Sequence, residues 1–382
     1  MTSEIELYFH IPFCVRKCYY CDFLSAPADV HVRTAYMEAL MKEAVERAAE
    51  YAGSPVVSLF VGGGTPSVVE AEQMAALLQA VRNHYSISEN AEITVEVNPG
   101  TADREKLKIY RSAGVNRLSI GLQSADDGEL EALGRIHNWM QFMDTYEAAA
   151  EAGFTNINVD IMSALPGQTP ESYRRTLQKV LELKPRPVHI SAYSLILEEG
   201  TQLWEQAEQG RLVLPDEDAD RKMYSETKRV LEQAGYARYE ISNYAMPGHE
   251  CRHNCGYWKR RDYVGFGIGA ASLINNARFR NKEDLKAYLD NPLGCREDRQ
   301  ILSREEQMEE FMFLGLRMTA GISEKGFADC FGRELCHVYG DVIEKNADDG
   351  LLEWKGDGSW RCLALTEKGL DLANYVMAQF LL

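Results

Sequence analysis

Near the start of the chain, in YFHIPFCVRKCYYCDF, Cys14, Cys18 and Cys21 fall within eight residues, directly after an apolar run. Thiols at this density suit soft metals, disulfide exchange or an iron–sulfur cluster. A closed zinc site wants four ligands, so the fourth would have to come from elsewhere in the chain. A redox pair uses two cysteines and leaves one over. A cluster held by three thiolates keeps one iron without a protein ligand, and there three is the useful number. Spacing alone leaves these readings open. Other residues in the same half of the chain could face a ligand. GGGTPS (62–67) ends an apolar run, where glycines let backbone approach a ligand and offer unobstructed N–H groups, or simply form a tight turn. Glu96 in VEVNPG, Gln123 in IGLQS and Asp160 in NVDIM each close or interrupt an apolar run, where a ligand can satisfy them and a sealed core could not. Arg135 in LGRIHN adds a cation, whose plain alternative is a solvated helix charge.

The elements that must position these groups follow from periodicity. Short β-rich apolar runs occur at 5–11, 56–63, 91–97, 117–123, 156–162 and 188–195, separated by segments with helical spacing such as Tyr36, Leu40, Ala44 and Ala48. Six such βα units predict an α/β fold, a partial (β/α)6 TIM-like barrel whose parallel strands are covered on both faces. The cysteine loop follows the first strand, at the C-terminal mouth where such barrels carry chemistry. After about residue 235 the rhythm changes, and the segment 236–302 reads as strands and loops. From 303 to 382 three helices, a hairpin with a Gly-Asp-Gly turn (351–366) and a last helix predict a small α+β, winged-helix-like domain. Few Lys or Arg sit there, so packing is a better role for it than DNA binding.

Composition narrows the partners. The 382 residues are 45% hydrophobic, enough for a large core in a soluble protein. A formal charge of −17 argues against nucleic acid. No apolar run approaches the ~20 residues of a membrane span, and the first residues lack a secretory signal. Nine cysteines scattered without a framework fit reduced thiols in the cytoplasm.

The motifs also carry a resemblance. The cysteine loop resembles that of radical S-adenosylmethionine (SAM) proteins, which implies a [4Fe–4S] cluster on Cys14, Cys18 and Cys21 and SAM chelated to the open iron. More widely, VGGGTPS, EVNPGT, RLSIGLQS, LGRIH, LPGQT, HISAYSL, YEISNYA, RHNCGYW and the closing LTEKGLDLANYVMAQFL resemble the HemW heme-chaperone branch of the oxygen-independent coproporphyrinogen oxidase family. That resemblance covers nearly the whole chain. It implies SAM contacts from Tyr8, Gly63, Gly64, Thr65, Glu96, Gln123, Arg135 and Asp160, with Tyr20 against adenine. It also divides the chain into a barrel (1–235), a connecting region (236–302) and a HemN-type C-terminal domain (303–382).

The coproporphyrinogen enzyme carries a further cysteine two residues after the third ligand, where this chain has Phe23, and a longer N-terminal extension. The chaperone branch is therefore favoured, with heme as cargo, a heme-accepting protein and an electron donor as partners, and a cluster able to cleave SAM without coproporphyrinogen oxidation. The alternative is a radical enzyme on a tetrapyrrole. HECRHNCGYW (249–258) is the candidate heme segment, with His253 as ligand and Tyr257 second, since imidazole and phenolate both bind heme iron and Trp258 offers a flat surface. A zinc knuckle competes, because His249, Cys251, His253 and Cys255 alternate. On one strand, though, these stand about 6.5–7 Å apart while zinc ligands lie about 3.5–4 Å apart. A buried polar turn is the plain reading. Ala271, where relatives often place His, and Ser163 and Ala164 in DIMSALPG depart from the pattern.

Overall fold

The computed structural model describes residues 3–382. Its first half alternates as the periodicity predicts: β1 (Ile5–Ile11), α1 (Val30–Arg47), β2 (Pro55–Gly63), α2 (Ala71–His84), β3 (Ser86–Val97), α3 (Arg104–Ser112), β4 (Arg117–Gln123), α4 (Asp127–Ala132), α5 (Trp139–Glu151), β5 (Ile157–Ser163), α6 (Pro170–Glu182) and β6 (His189–Ser194). Strands β1 to β6 pair in parallel, in chain order. Next come α7 (Gln202–Glu208), α8 (Glu217–Gln233), β7 (Ala237–Arg238), β8 (Asn243–Ala245), α9 (Arg252–Trp258), β9 (Asp262–Phe266), β10 (Ala271–Ile274), β11 (Ala277–Asn281), α10 (Leu285–Asp290) and β12 (Arg296–Ile301). They widen the sheet to twelve strands, ordered β12-β11-β10-β9-β1-β2-β3-β4-β5-β6-β8-β7. No ladder joins β12 to β7 among the described residues, so the curved sheet stays open, in keeping with a partial barrel.

Two expectations need correcting here. The parallel alternation does not end at β6, because β9 adds a seventh parallel strand beside β1, with Tyr8 opposite Gly265. The strands are also not apolar on both faces. Ile5, Leu7 and Phe9 pack outward in the helix-facing core, while Glu6, Tyr8 and His10 point inward. The same alternation places Ser58 and Phe60, Glu92, Thr94 and Glu96, Arg117 and Ser119, Asn158 and Asp160, and His189 and Ser191 on the inner face. A helix layer takes the apolar side, and the interior of the barrel is left polar.

The segment around HNCGYW was expected to be strand and loop, but residues 252–258 form helix α9. Local propensity does not select this helix; two carboxylates do. Glu92 accepts from the backbone N–H groups of Arg252 (3.1 Å) and His253 (3.3 Å), capping its first turn. Gly256 lies so close to the Glu6 carboxylate that any Cβ there would collide with it. Helix α9 thus packs across the N-terminal ends of the strands and closes that end of the barrel.

The last third holds α11 (Arg304–Gly315), β13 (Ile322–Ser323), α12 (Glu324–Phe331), α13 (Leu335–Asp348), β14 (Leu352–Lys355), β15 (Cys362–Leu365), α14 (Glu367–Asp371) and α15 (Ala373–Met377). Ser303 and Glu306 form a capping box that starts α11. A three-stranded sheet β13-β15-β14 and the surrounding helices share an apolar core of their own. The expected hairpin is present, its turn carrying Gly356 at φ 68° and Gly358 at φ 53°. The single closing helix is instead broken at Leu372, whose φ of −114° and ψ of 27° leave the helical region. Among the described residues no helix is long and apolar enough to cross a membrane.

Candidate functional site

The cysteine loop leaves the C-terminal end of β1 and is fastened on two sides. Ala26 returns its carbonyl to the N–H of Cys14 at 3.2 Å, and Thr65 N–H bonds the Phe13 carbonyl at 2.7 Å. Across the mouth, Tyr19 N–H bonds the Leu133 carbonyl at 3.0 Å, and Arg16 donates to the Gly134 carbonyl at 2.8 Å. All three thiols are free and half-buried. Burial raises the Cys21 thiol, with Cys18 and Cys14 adding to the shift. Thr65 Oγ1 donates to Cys14 Sγ at 3.5 Å and Arg135 Nη1 to Cys18 Sγ at 3.7 Å, so two of the three sulfurs already accept from donors on other elements. Among the described residues no group of three or more His, Cys, Asp or Glu converges tightly enough for a single metal ion. Three soft ligands on one short loop, met by donors from two further elements, fit a cluster that binds each sulfur to a different iron.

The glycine-rich turn does something other than expected. Its N–H groups are engaged within the protein: Gly63 with Glu96 Oε2 (3.1 Å) and Gly64 with the Ile11 carbonyl (2.8 Å). What the turn requires is the absence of a side chain. A Cβ on Gly64 would stand 2.7 Å from the Phe13 carbonyl and 3.0 Å from Cys14 Sγ. Gly63 has φ +115°, and a Cβ there would lie 2.6 Å from the His10 ring.

The inner face encloses a cavity of about 450 Å³. Of the expected SAM contacts, Tyr8, Glu96, Gln123 and Asp160 line it, while Thr65 and Arg135 line a small neighbouring recess with Cys18. Gly63 and Gly64 are partly exposed and line neither space. Tyr8 Oη donates to His10 Nδ1 (3.1 Å), whose Nε2–H donates to the Leu24 carbonyl (2.9 Å), so the ring ties the cavity wall to the cysteine loop. Burial, with Asp160 nearby, pushes the Glu96 carboxyl up to about 8, which leaves it largely protonated near neutrality. Burial also raises Asp160, which accepts from Asn158 Nδ2 at 2.7 Å. Gln123 sits at φ 70°, just past a bulge in the β4–β5 ladder that turns its side chain inward. Arg135 is held by Asn98 Oδ1 (3.0 Å) and the Gly121 carbonyl (2.7 Å).

His253 and Tyr257 line this same cavity, at its closed end. Burial pushes His253 down to about 3, so the ring is neutral. Its nitrogens bond Ser58 Oγ (2.8 Å) and Tyr257 Oη (3.0 Å), and it stacks on Phe60 with centroids 5.2 Å apart. His249, Cys251, His253 and Cys255 do not converge on a metal. Sequence reasoning missed Arg117, Asn158, Ser191, Tyr193 and Asn254, all of which line the cavity. The signal that could have found the strand residues is the period-2 alternation of polar and apolar positions within each run.

Comparison with known proteins agrees with this geometry. Residues 8–180 match the Radical SAM superfamily and residues 302–372 the HemN C-terminal domain. A protein named heme chaperone HemW from Lactococcus lactis subsp. lactis (strain IL1403) is 37% identical, the match covering 98% of this chain and 97% of the relative. Its namesake in Bacillus subtilis (strain 168) is 38% identical over 98% of both chains, and that of Escherichia coli (strain K12) is 39% identical over 99% and 98%. Coproporphyrinogen III oxidase (HemN) from Escherichia coli, a radical SAM enzyme, superimposes with a TM-score of 0.85 at 25% identity, covering 99% of this chain and 90% of that one. With likeness running from the cysteine loop through α9 to the C-terminal helices, the chain belongs to the HemW family of radical SAM proteins.

Proposed function

We propose that this protein binds heme and passes it to an acceptor protein, and that Cys14, Cys18 and Cys21 hold a [4Fe–4S] cluster with SAM on its open iron. The carrying observation is the likeness, over essentially the full length, to relatives named heme chaperone HemW. When bound, cluster and SAM supply one-electron cleavage of the sulfonium, with the electron coming from a donor protein. The chain's own residues prepare that site. Arg135 and Thr65 offset thiolate charge at Cys18 and Cys14, and His10 fixes the direction of the Tyr8 hydroxyl. Glu96, Gln123 and Asp160 offer hydrogen-bonding groups to SAM at the mouth, with Tyr20 as its adenine platform. Gly63 and Gly64 let the second strand close under the loop. Nine free thiols suit a reducing cytoplasm.

His253 and Tyr257 are the heme-ligand candidates, and either becomes available to iron only when their mutual hydrogen bond opens. In hemin titrations of the full chain, His253→Ala and Tyr257→Phe should weaken the Soret band. Spectra identical to the unmodified protein's would remove both residues from the proposal. The superposition on coproporphyrinogen III oxidase favours a second reading, a radical enzyme acting on a tetrapyrrole. Anaerobic incubation with coproporphyrinogen III, SAM and dithionite is expected to yield no protoporphyrinogen IX, and formation of that product would instead establish the enzyme.

A further inference from the structure

Arg117 opens β4 at the closed end of the barrel and is only 2% exposed, yet its guanidinium makes no hydrogen bond and no ion pair among the described residues. It lines the cavity. A buried, unpaired guanidinium is costly, and most buried polar groups are satisfied, so this one needs a partner. Glu92 and Asp160 balance part of its charge through space, but none of the nearby carboxylates accepts a hydrogen bond from it. Glu92 caps α9, Asp160 accepts from Asn158 and Ser119, and Glu6 is held by Arg261 at 3.1 Å. A second donor lines the same cavity without a side-chain partner. Asn254 presents an amide to the cavity from α9 and makes no side-chain hydrogen bond among the described residues. Above them Tyr8, Phe60 and His253 form one aromatic wall, with Phe60 tilted 26° to each of the other two rings.

We infer that Arg117 and Asn254 form a carboxylate-binding subsite for a ligand whose flat apolar body lies along the Tyr8–Phe60–His253 wall. A guanidinium fork matches the two oxygens of a carboxylate, and the Asn254 amide supplies a further donor. The subsite does not depend on the heme reading, since it is defined by unpaired donors and an aromatic surface.

The probe is 2-naphthoate, with neutral 2-acetonaphthone as its control, titrated against the purified full chain by isothermal calorimetry. The native protein should prefer naphthoate. Arg117→Met should weaken naphthoate at least tenfold and leave the ketone within twofold, and Arg117→Lys should recover part of the loss. Asn254→Ala, at a half-buried position, should weaken naphthoate alone and serves if the arginine variants do not fold. No preference for naphthoate in the native protein, or equal losses for both probes, would overturn the assignment. So would inorganic phosphate binding at this site in place of naphthoate.

Discussion

At the scale of single residues, the site rests on atoms that are missing as much as on atoms present. Gly64 is the clearest case, since a methyl group there presses on both the Phe13 carbonyl and Cys14 Sγ. Gly64→Ala should fold and yet lose most of its iron after anaerobic reconstitution; full iron loading would show that the loop tolerates displacement. Glu6 gives a prediction in pH. Burial outweighs its Arg261 contact and pushes its carboxyl up to about 8 from an ordinary value of 4.5. The folded state therefore holds a proton that the unfolded state releases, and stability falls as pH rises between those values. Glu6→Gln should flatten that fall by about 1.4 kcal/mol per pH unit in urea titrations of the apo protein, and an unchanged slope would place the titration elsewhere. Glu96, Gln123 and Asp160 were legible because each breaks an apolar run. Arg117 was not, because an arginine at the first position of a strand reads as an ordinary solvated boundary.

At the scale of elements, the first six parallel strands were legible to within a few residues, whereas β9 as their seventh member and α9 were not. Strands announce themselves through repeated β-branched and aromatic runs. A seven-residue helix carrying His, Asn, Gly, Tyr and Trp has little helical propensity and too few turns to show a period. Its stability comes from elsewhere in the fold, through the Glu92 cap and the fit of Gly256 against Glu6. Gly256→Ala should accordingly destabilise the protein by about 1–3 kcal/mol, by overpacking, despite alanine's better helix propensity. A raised thermal midpoint would contradict this packing. The alternation inside each strand was present in the sequence too. Parallel strands are usually apolar on both sides, and that generality masked a polar interior.

At the scale of the whole molecule, the C-terminal helices grip the closed end of the barrel. The Arg317 guanidinium lies 4.3 Å above the Trp258 ring, just past the cavity-lining residues of α9. Glu310 of α11 bonds Arg260 at 3.0 Å and Arg278 at 2.7 Å. Removing that carboxylate in Glu310→Ala leaves two arginines facing each other and should cost about 1–3 kcal/mol, read as a lower urea midpoint and faster proteolysis between barrel and C-terminal helices. Unchanged proteolysis would mean that apolar packing alone joins them. This junction was hidden from the sequence because its partners lie 32 to 59 residues apart and carry no periodic mark. One consequence follows from the seventh parallel strand. With β9 on one flank and β2 on the other, the stem of the cysteine loop has no free edge along Ile5–Phe9, and its amide protons should exchange only when the entire sheet opens. If the proposed cluster is lost to oxygen, an intact socket would remain, and repair becomes a matter of reloading and not of refolding.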